Sequence, residues 1–174
     1  MNPNSKPVPV LSHPLRPRRS SRTVWAALLS LAFAFPAFAD AEMDVAHVKY
    51  RQALMSGVGA NMGGISTILK NRLVMPGHIE SHARQIAESA KLISSAFKAE
   101  VTTGDTDAKA KIWKDHSGFQ DAIAKLEKAS NDLAAAAAGN DPATVGPAVK
   151  ALGKSCGGCH KAYRKPKEES YKNR

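Results

Sequence analysis

Apolar residues recur at steps of three and four along four segments of this chain, and this period most constrains its fold. Such spacing places the apolar side chains on one face of an α-helix. Residues 40–174 are also rich in Ala, Lys, Leu and Glu, which favour helix. No segment alternates apolar and polar residues far enough to predict a β-sheet. The sequence therefore predicts an all-α protein.

We expect the four helices to run over about residues 43–70, 79–99, 108 or 116 to 138, and 142–165. Each has a series of residues that should face inward: Val48, Arg51, Met55, Val58, Met62, Ile65 and Leu69 in the first; Ile79, Ile86, Ala90, Ile93 and Phe97 in the second; Trp113, Phe119, Ile123, Leu126 and Leu133 in the third; Val145, Val149, Leu152, Cys156, Cys159 or His160, and Tyr163 in the fourth.

Short connections separate these helices. A turn is predicted at 75–78 and a polar loop at 102–107, and Gly139 should stop the third helix. Asp141 and Pro142 are typical of a capped start to the fourth helix, and Pro166 should end it. Short connections favour an antiparallel up-down four-helix bundle over residues 40–174, with a charged, loose tail at 166–174.

Residues 1–39 have a different composition. They hold five of the 25 basic residues and none of the 15 acidic ones, followed by an apolar run at 24–35 and the triplet Ala37-Phe38-Ala39. This order predicts a signal peptide that is cleaved before Asp40, and hence a periplasmic protein. A membrane anchor is disfavoured, because the run has about 12 residues and crossing a bilayer takes roughly 20.

Removing that segment leaves a mildly basic chain. Of the net charge of +10, five positive charges lie in residues 1–39, so residues 40–174 carry +5. This is too little to indicate a nucleic-acid-binding protein, and it favours acidic protein partners. Residues 40–174 contain no further apolar run that could span a membrane.

Cys156 and Cys159 are the only cysteines in the chain, and His160 follows the second directly. A thioredoxin-type pair would need a strand before the helix, which is not predicted. A zinc site would need two further ligands, and His47, His78, His82 and His116 do not lie at a suitable spacing. A Cys156–Cys159 disulfide would suit an exported protein but would close only a tiny loop.

The pattern C-x-x-C-H is typical of covalent haem attachment. Two thioethers would form on one edge of the porphyrin, and the imidazole of His160 would then reach the iron. The predicted export agrees with this interpretation, because such haem is attached outside the cytoplasm. We therefore expect one covalently bound haem c.

The position of this motif in the last helix resembles the class II cytochromes c, the cytochrome c′ family, which is itself a standard example of a four-helix bundle. The stretches VKYRQALM (48–55), KIWKDHSGFQ (111–120) and CGGCHKAYRK (156–165) are similar to family segments. The resemblance implies haem on the C-terminal helix. It also implies haem contacts from Arg51 and Gln52, and a place for Arg164 beside the proximal histidine.

Alignment on Arg51 and Gln52 brings Met55 to the sixth coordination position of the iron. The family's low-spin members have an iron-ligating methionine there, so the resemblance is strongest to them. It implies a periplasmic electron carrier with His160 and Met55 as iron ligands, and no enzyme activity. The alternative is a likeness to the high-spin members, in which an apolar side chain covers a five-coordinate iron that binds NO or CO.

Helix geometry also favours Met55 over the other methionines. At 1.5 Å per residue, His160 lies roughly 8 Å from the end of the fourth helix, and Met55 lies roughly 18 Å and Met62 roughly 28 Å from the start of the first. Met55 is thus nearer the level of His160 in an antiparallel neighbour. The plain alternative is that Met55 only packs in the core.

Arg51 lies on an otherwise apolar face, where a buried charge needs a partner. A haem propionate would serve, or the side chain could extend to solvent. The resemblance also allows a homodimer through the first two helices, and redox proteins with an acidic surface as partners.

Overall fold

The computed structural model describes residues 36–139 and 141–173. They form helices α1 (Pro36–Lys70), α2 (His78–Ala96), α3 (Lys111–Lys114), α4 (His116–Ala138) and α5 (Pro142–Tyr163), followed by two 3₁₀ turns at Lys167–Glu169 and Tyr171–Asn173. Within these residues the only β-type pairing is an isolated bridge between Ala108 and Arg164. The prediction of an all-α bundle is confirmed.

The predicted signal peptide lies largely outside the described residues, which begin at Pro36. Because α1 starts there, the predicted cleavage before Asp40 falls inside this helix. In the described part of the chain, no helix combines the length and apolar character needed to cross a membrane.

Aspartates cap the starts of α4 and α5. The Asp141 carboxylate accepts a hydrogen bond from the Ala143 N–H at 2.9 Å, and Pro142 occupies the first turn of α5, as predicted. Asp115 accepts from the Gly118 N–H at 3.3 Å and separates α3 from α4. Of the two predicted starts of the third helix, the one at His116 matches the long helix α4, and the one at Ala108 lies three residues before the short helix α3.

The core lies between α1, α2, α4 and α5. Its buried apolar residues include Val58, Ile65, Ala83, Ile86, Ala90, Ile93, Ile112, Phe119, Ile123, Leu126, Leu133, Val145, Leu152 and Tyr163. Met55, Met62, Val149, Cys156 and Cys159 are half-buried and pack against this cluster. One inward prediction is wrong: Leu69 is 39% exposed, and the neighbouring Ile68 is buried in its place.

Helices α1 and α2 approach closely at Gly64. A methyl group at this position would lie 2.6 Å from Nε2 of His82, so a larger residue here would require the imidazole to move. The other ring nitrogen, Nδ1, lies 2.8 Å from Oδ1 of Asn61. His82 is thus a half-buried contact between the two helices.

The prediction of a loose C-terminal tail is wrong. Ser170 is buried, and its hydroxyl donates to the Asp107 carboxylate at 2.9 Å. The Tyr171 N–H donates to the same carboxylate at 3.0 Å. Both partners lie more than 60 residues away in sequence, which is why local composition did not reveal this contact.

The helices run antiparallel, which gives the bundle two distinct ends. We call the end with the start of α4 and the end of α5 the site end; Arg51 of α1 meets the end of α2 there through Ala96. The opposite end, which holds the connections at 71–77 and 139–141, we call the turn end.

Candidate haem-binding site

The two cysteines and the histidine lie in the last two turns of α5, at the site end. Cys156 and Cys159 are half-buried, free of any disulfide, and packed against the core. Their spacing of three places them on one face of the helix. His160 follows at the exposed margin of that face. Two free thiols and one accessible imidazole form a donor set that fits a covalently bound haem c.

Burial raises the pKa of both cysteine thiols above the ordinary value. For Cys159, the neighbouring Cys156 raises the pKa further. For Cys156, a hydrogen bond with Ser155 lowers the pKa but does not outweigh burial, so both groups are neutral thiols at neutral pH. This environment does not favour a redox-active pair, which needs a thiolate.

The alternatives to haem lose support at this site. Among residues 36–139 and 141–173, no group of three or more His, Cys, Asp or Glu side chains is arranged to hold a metal ion. The histidines that a zinc site would have needed, His47, His78, His82 and His116, therefore form no such group with the two cysteines. Among the same described residues, no strand precedes the helix that carries Cys156.

Arg164 lies one turn after His160, as the sequence resemblance implies. Its backbone N–H donates to the His160 carbonyl at 3.0 Å and so terminates α5. Although His160 as a whole residue is exposed, partial burial of its imidazole lowers its pKa, and the positive charge of Arg164 lowers it further. The imidazole is therefore neutral at neutral pH, which is the form that binds iron.

Met55 lies on the inner face of α1, one turn after Arg51. Its side chain is half-buried and packs against the same core cluster as Cys156 and Cys159. Met62 shares this burial and packing, two turns further from the site end. Packing thus does not separate the two methionines, and the assignment of Met55 to the iron stays a prediction.

Arg51 forms hydrogen bonds with partners that the sequence did not indicate. It is 3% exposed, and its guanidinium donates to the carbonyls of Ala96 at 2.9 Å, Val101 at 3.1 Å, and Ala99. Burial lowers the pKa of Arg51, and Asp44 partly offsets this. Because the protein itself satisfies the charge, the need for a partner no longer argues for a propionate contact, which stays a prediction. The side chain does not extend to solvent.

Gln52 binds the connection between α2 and α3, as Arg51 does. Its Nε2 donates to the Asp105 carbonyl at 2.6 Å. Together, Arg51 and Gln52 fix residues 96–105 against α1, so both act on the backbone that leads into α3. A haem contact from Gln52 is untested and stays a prediction.

Aromatic side chains line the core beneath the site end. The Phe119 ring meets Phe97 and Tyr163 edge to face, with centroids 5.5 and 5.2 Å apart. Trp113 Nε1 donates to the Phe97 carbonyl at 2.8 Å. The Tyr163 hydroxyl donates to Asp115 at 2.9 Å. Tyr163 is core, as predicted, while Trp113 is only half-buried.

Sequence reasoning missed Asp107, which the structure places at the junction of three segments. Its carboxylate accepts from Arg164 at 3.1 Å, as well as from Ser170 and Tyr171. Only the loop position of this residue could be read from sequence, because its partners lie 57 to 64 residues away.

The comparisons with known proteins agree with this geometry. The family model described as cytochrome C' matches residues 46–164. Cytochrome c' from Rhodospirillum rubrum is 38% identical over 128 residues, which cover 72% of this chain and 86% of that protein. Cytochrome c prime from Shewanella frigidimarina has a TM-score of 0.66 and 31% identity, covering 71% of this chain and 97% of that one.

A third similar protein was solved with a ligand. It is the nitric oxide complex of a leucine-to-isoleucine mutant of cytochrome c prime from Alcaligenes xylosoxidans, with a TM-score of 0.64 and 27% identity, covering 71% of this chain and 97% of that one. These matches give no support to a special likeness to low-spin, methionine-ligated members. They favour the gas-binding alternative over the His/Met electron carrier.

Proposed function

Because the chain belongs to the cytochrome c′ family, we propose that it is an exported protein whose haem iron binds a small diatomic gas such as NO or CO. The protein is a monohaem c-type cytochrome with one covalently attached haem c, and Cys156 and Cys159 fit the attachment motif. The observation that carries the gas-binding proposal is the nitric oxide complex of a structurally similar cytochrome c prime.

The residues of α5 would hold the cofactor. Cys156 and Cys159 would form the two thioethers, and the neutral imidazole of His160 would bind the iron from the proximal side. When bound, the haem supplies an iron whose sixth position can accept a diatomic ligand. The thioethers would fix the haem to a helix that the core already holds, since Leu152 and Tyr163 of the same helix are buried.

Met55 would cover the distal side. Its half-buried position in the apolar cluster supports this role, because an unbranched, polarisable side chain beside the iron would exclude water. Apolar lining favours an uncharged gas over water or an anion, because a charged ligand would lose its hydration there. A methionine that packs without bonding to the iron would leave the sixth position to the gas.

A second candidate function is electron transfer with His160 and Met55 as the two axial ligands. The position of Met55, one turn after the buried Arg51 and in the same core cluster as both cysteines, favours it. A thioether ligand would raise the reduction potential and close the iron to gases. The two candidates differ only in whether Met55 bonds to the iron.

The ferrous absorption spectrum with and without CO tests this choice. We expect the wild-type holoprotein to have a broad reduced band and to shift its Soret peak when CO is added. The Met55→Ala variant should keep this response and bind CO at least about tenfold more tightly, because the covering side chain is removed.

Met62→Ala is the matched control, since Met62 has similar burial on the same helix. It should leave the CO affinity unchanged. Sharp α and β bands and no response to CO in the wild type, with a response gained only in Met55→Ala, would instead establish the His/Met electron carrier.

Export, assembly and partners extend this proposal. We expect cleavage before Asp40 and a periplasmic location, which mass spectrometry of the exported holoprotein would test. The net charge of +5 on residues 40–174 favours partners with an acidic surface, and a homodimer is one expected assembly. We expect no enzymatic turnover.

A further inference from the structure

We propose that Asp107 is a positioning residue of the haem site: it holds the Arg164 guanidinium in place and thereby sets the charge beside the proximal His160. The inference rests on haem attachment at His160, which belongs to the proposed function. It does not depend on whether the iron binds a gas.

The carboxylate of Asp107 is the fixed member of its ion pair with Arg164. Its side chain is 8% exposed, against 51% for Arg164, and the two groups are 3.1 Å apart. Two neutral donors, the Ser170 hydroxyl and the Tyr171 N–H, bind the same carboxylate. Asp107 therefore keeps its place without Arg164, whereas the half-exposed Arg164 side chain has this one hydrogen-bonded anchor among the described residues.

The backbone around this pair is also fixed. Residues 107–109 run antiparallel to 163–165: the Lys165 N–H donates to the Asp107 carbonyl at 2.7 Å, and the Lys109 N–H donates to the Tyr163 carbonyl at 3.0 Å. The isolated bridge between Ala108 and Arg164 lies between these two bonds. The loop before α3 thus holds the end of α5, four residues after the proximal histidine.

The charge state of Asp107 agrees with this role. Burial alone would raise its pKa, but hydrogen bonds from Tyr171, Arg164 and Ser170 outweigh burial, so the pKa lies below the ordinary value. The carboxylate is therefore ionised at neutral pH and balances the guanidinium. Without it, an uncompensated positive charge would lie free near His160.

The midpoint reduction potential of the haem-loaded protein tests the proposal. Asp107→Asn should raise the potential, because an uncompensated guanidinium favours the less positive ferrous state. Arg164→Gln should lower it. If Asp107 acts through Arg164, then Asp107→Asn should shift the potential in the Arg164→Gln background by less than half of its shift in the wild-type background.

Asp132→Asn is the matched control. It makes the same change of charge on an exposed residue of α4, where Asp132 pairs with Lys128, sixteen residues along the helix from His116 at the site end. It should leave the potential unchanged. Equal shifts from Asp107→Asn in both backgrounds would overturn the proposal, because they would show a direct effect of the carboxylate on the haem.

Amide hydrogen exchange at Tyr171 gives a second readout that needs no redox measurement. Its N–H donates to Asp107, so Asp107→Asn should increase its exchange at least about tenfold, while Asp132→Asn should not. Unchanged exchange would show that the carboxylate does not hold this segment. A wild type that ignores CO would defeat only the gas-binding function, whereas additive shifts of the potential would defeat only the role of Asp107.

Discussion

The two ends of the bundle are held together in different ways. At the site end, polar side chains reach across the chain: Arg51 binds the end of α2, Trp113 binds Phe97, and Asp107 binds the C-terminal tail. In the turn-end connections at 71–77 and 139–141, the side-chain hydrogen bonds among the described residues stay local, as from Asn71 to Thr67. The contact of His82 with Asn61 lies further along the helices. Leu73 and Val74 are exposed in the connection at 71–77, Val74 by 90%.

This difference shows where the molecule needs fixed geometry. The proposed haem would be attached to α5 and covered by side chains of α1, and long-range hydrogen bonds limit how those helices can shift. At the turn end, short connections need only reverse the chain. The two ends should therefore respond differently to matched substitutions.

The largest effect is expected from Arg51→Met. The substitution leaves three carbonyls without their buried donor, and we expect it to lower the free energy of unfolding by about 3 kcal/mol. The measurement is urea unfolding of the holoprotein, followed by circular dichroism.

Its counterpart at the turn end is Val74→Ser. Because this side chain is 90% exposed, the change should be below about 0.5 kcal/mol. Similar losses from both variants would contradict the contrast between the two ends.

The next largest effect on stability is expected from removing the charge of Asp107 at the site end, compared with Asp141 at the turn end. The folded-state pKa of Asp107 lies below the unfolded value, so its contribution is complete above the unfolded pKa, roughly pH 4, and is lost as the pH falls through the folded pKa. We expect Asp107→Asn to destabilise the protein by about 2 kcal/mol at pH 7, and by progressively less in acid. Unfolding curves from pH 7 to pH 3 measure this.

Asp141→Asn is the control at the turn end. Asparagine caps a helix about as well as aspartate. The substitution should therefore lower the free energy of unfolding at pH 7 by no more than about 0.3 kcal/mol. A pH-independent loss from Asp107→Asn would show that its charge does not matter.

The smallest expected effect on stability comes from comparing alanine substitutions at two glycines of the turn end. Gly77 precedes α2 with φ of 74°, which strains a residue with a side chain, so Gly77→Ala should cost about 1 kcal/mol. Gly139 follows α4 with φ of −75°, so Gly139→Ala should be neutral or stabilise by about 0.5 kcal/mol. Thermal unfolding would show the difference, and equal costs would mean that backbone geometry does not control this end.

Much of the fold could be predicted from local pattern. The α1–α2 turn, the capped start of α5 at Asp141 and the end of α4 before Gly139 all depend on residues close in sequence. The inward faces were predicted well because a period near 3.6 fixes them, and the error at Leu69 is one step around the helix. The C-x-x-C-H motif likewise indicated a haem site from adjacent residues alone.

The tertiary structure decided where the polar groups went. The carbonyl partners of Arg51 lie 45 to 50 residues away, and those of the Asp107 carboxylate lie 57 to 64 away. Local periodicity carries no information about such distant pairings, because they depend on how the folded helices bring their ends together. The sequence alone therefore determined the helices and the attachment motif, while only the packed bundle determined which charges are satisfied and how the tail is held.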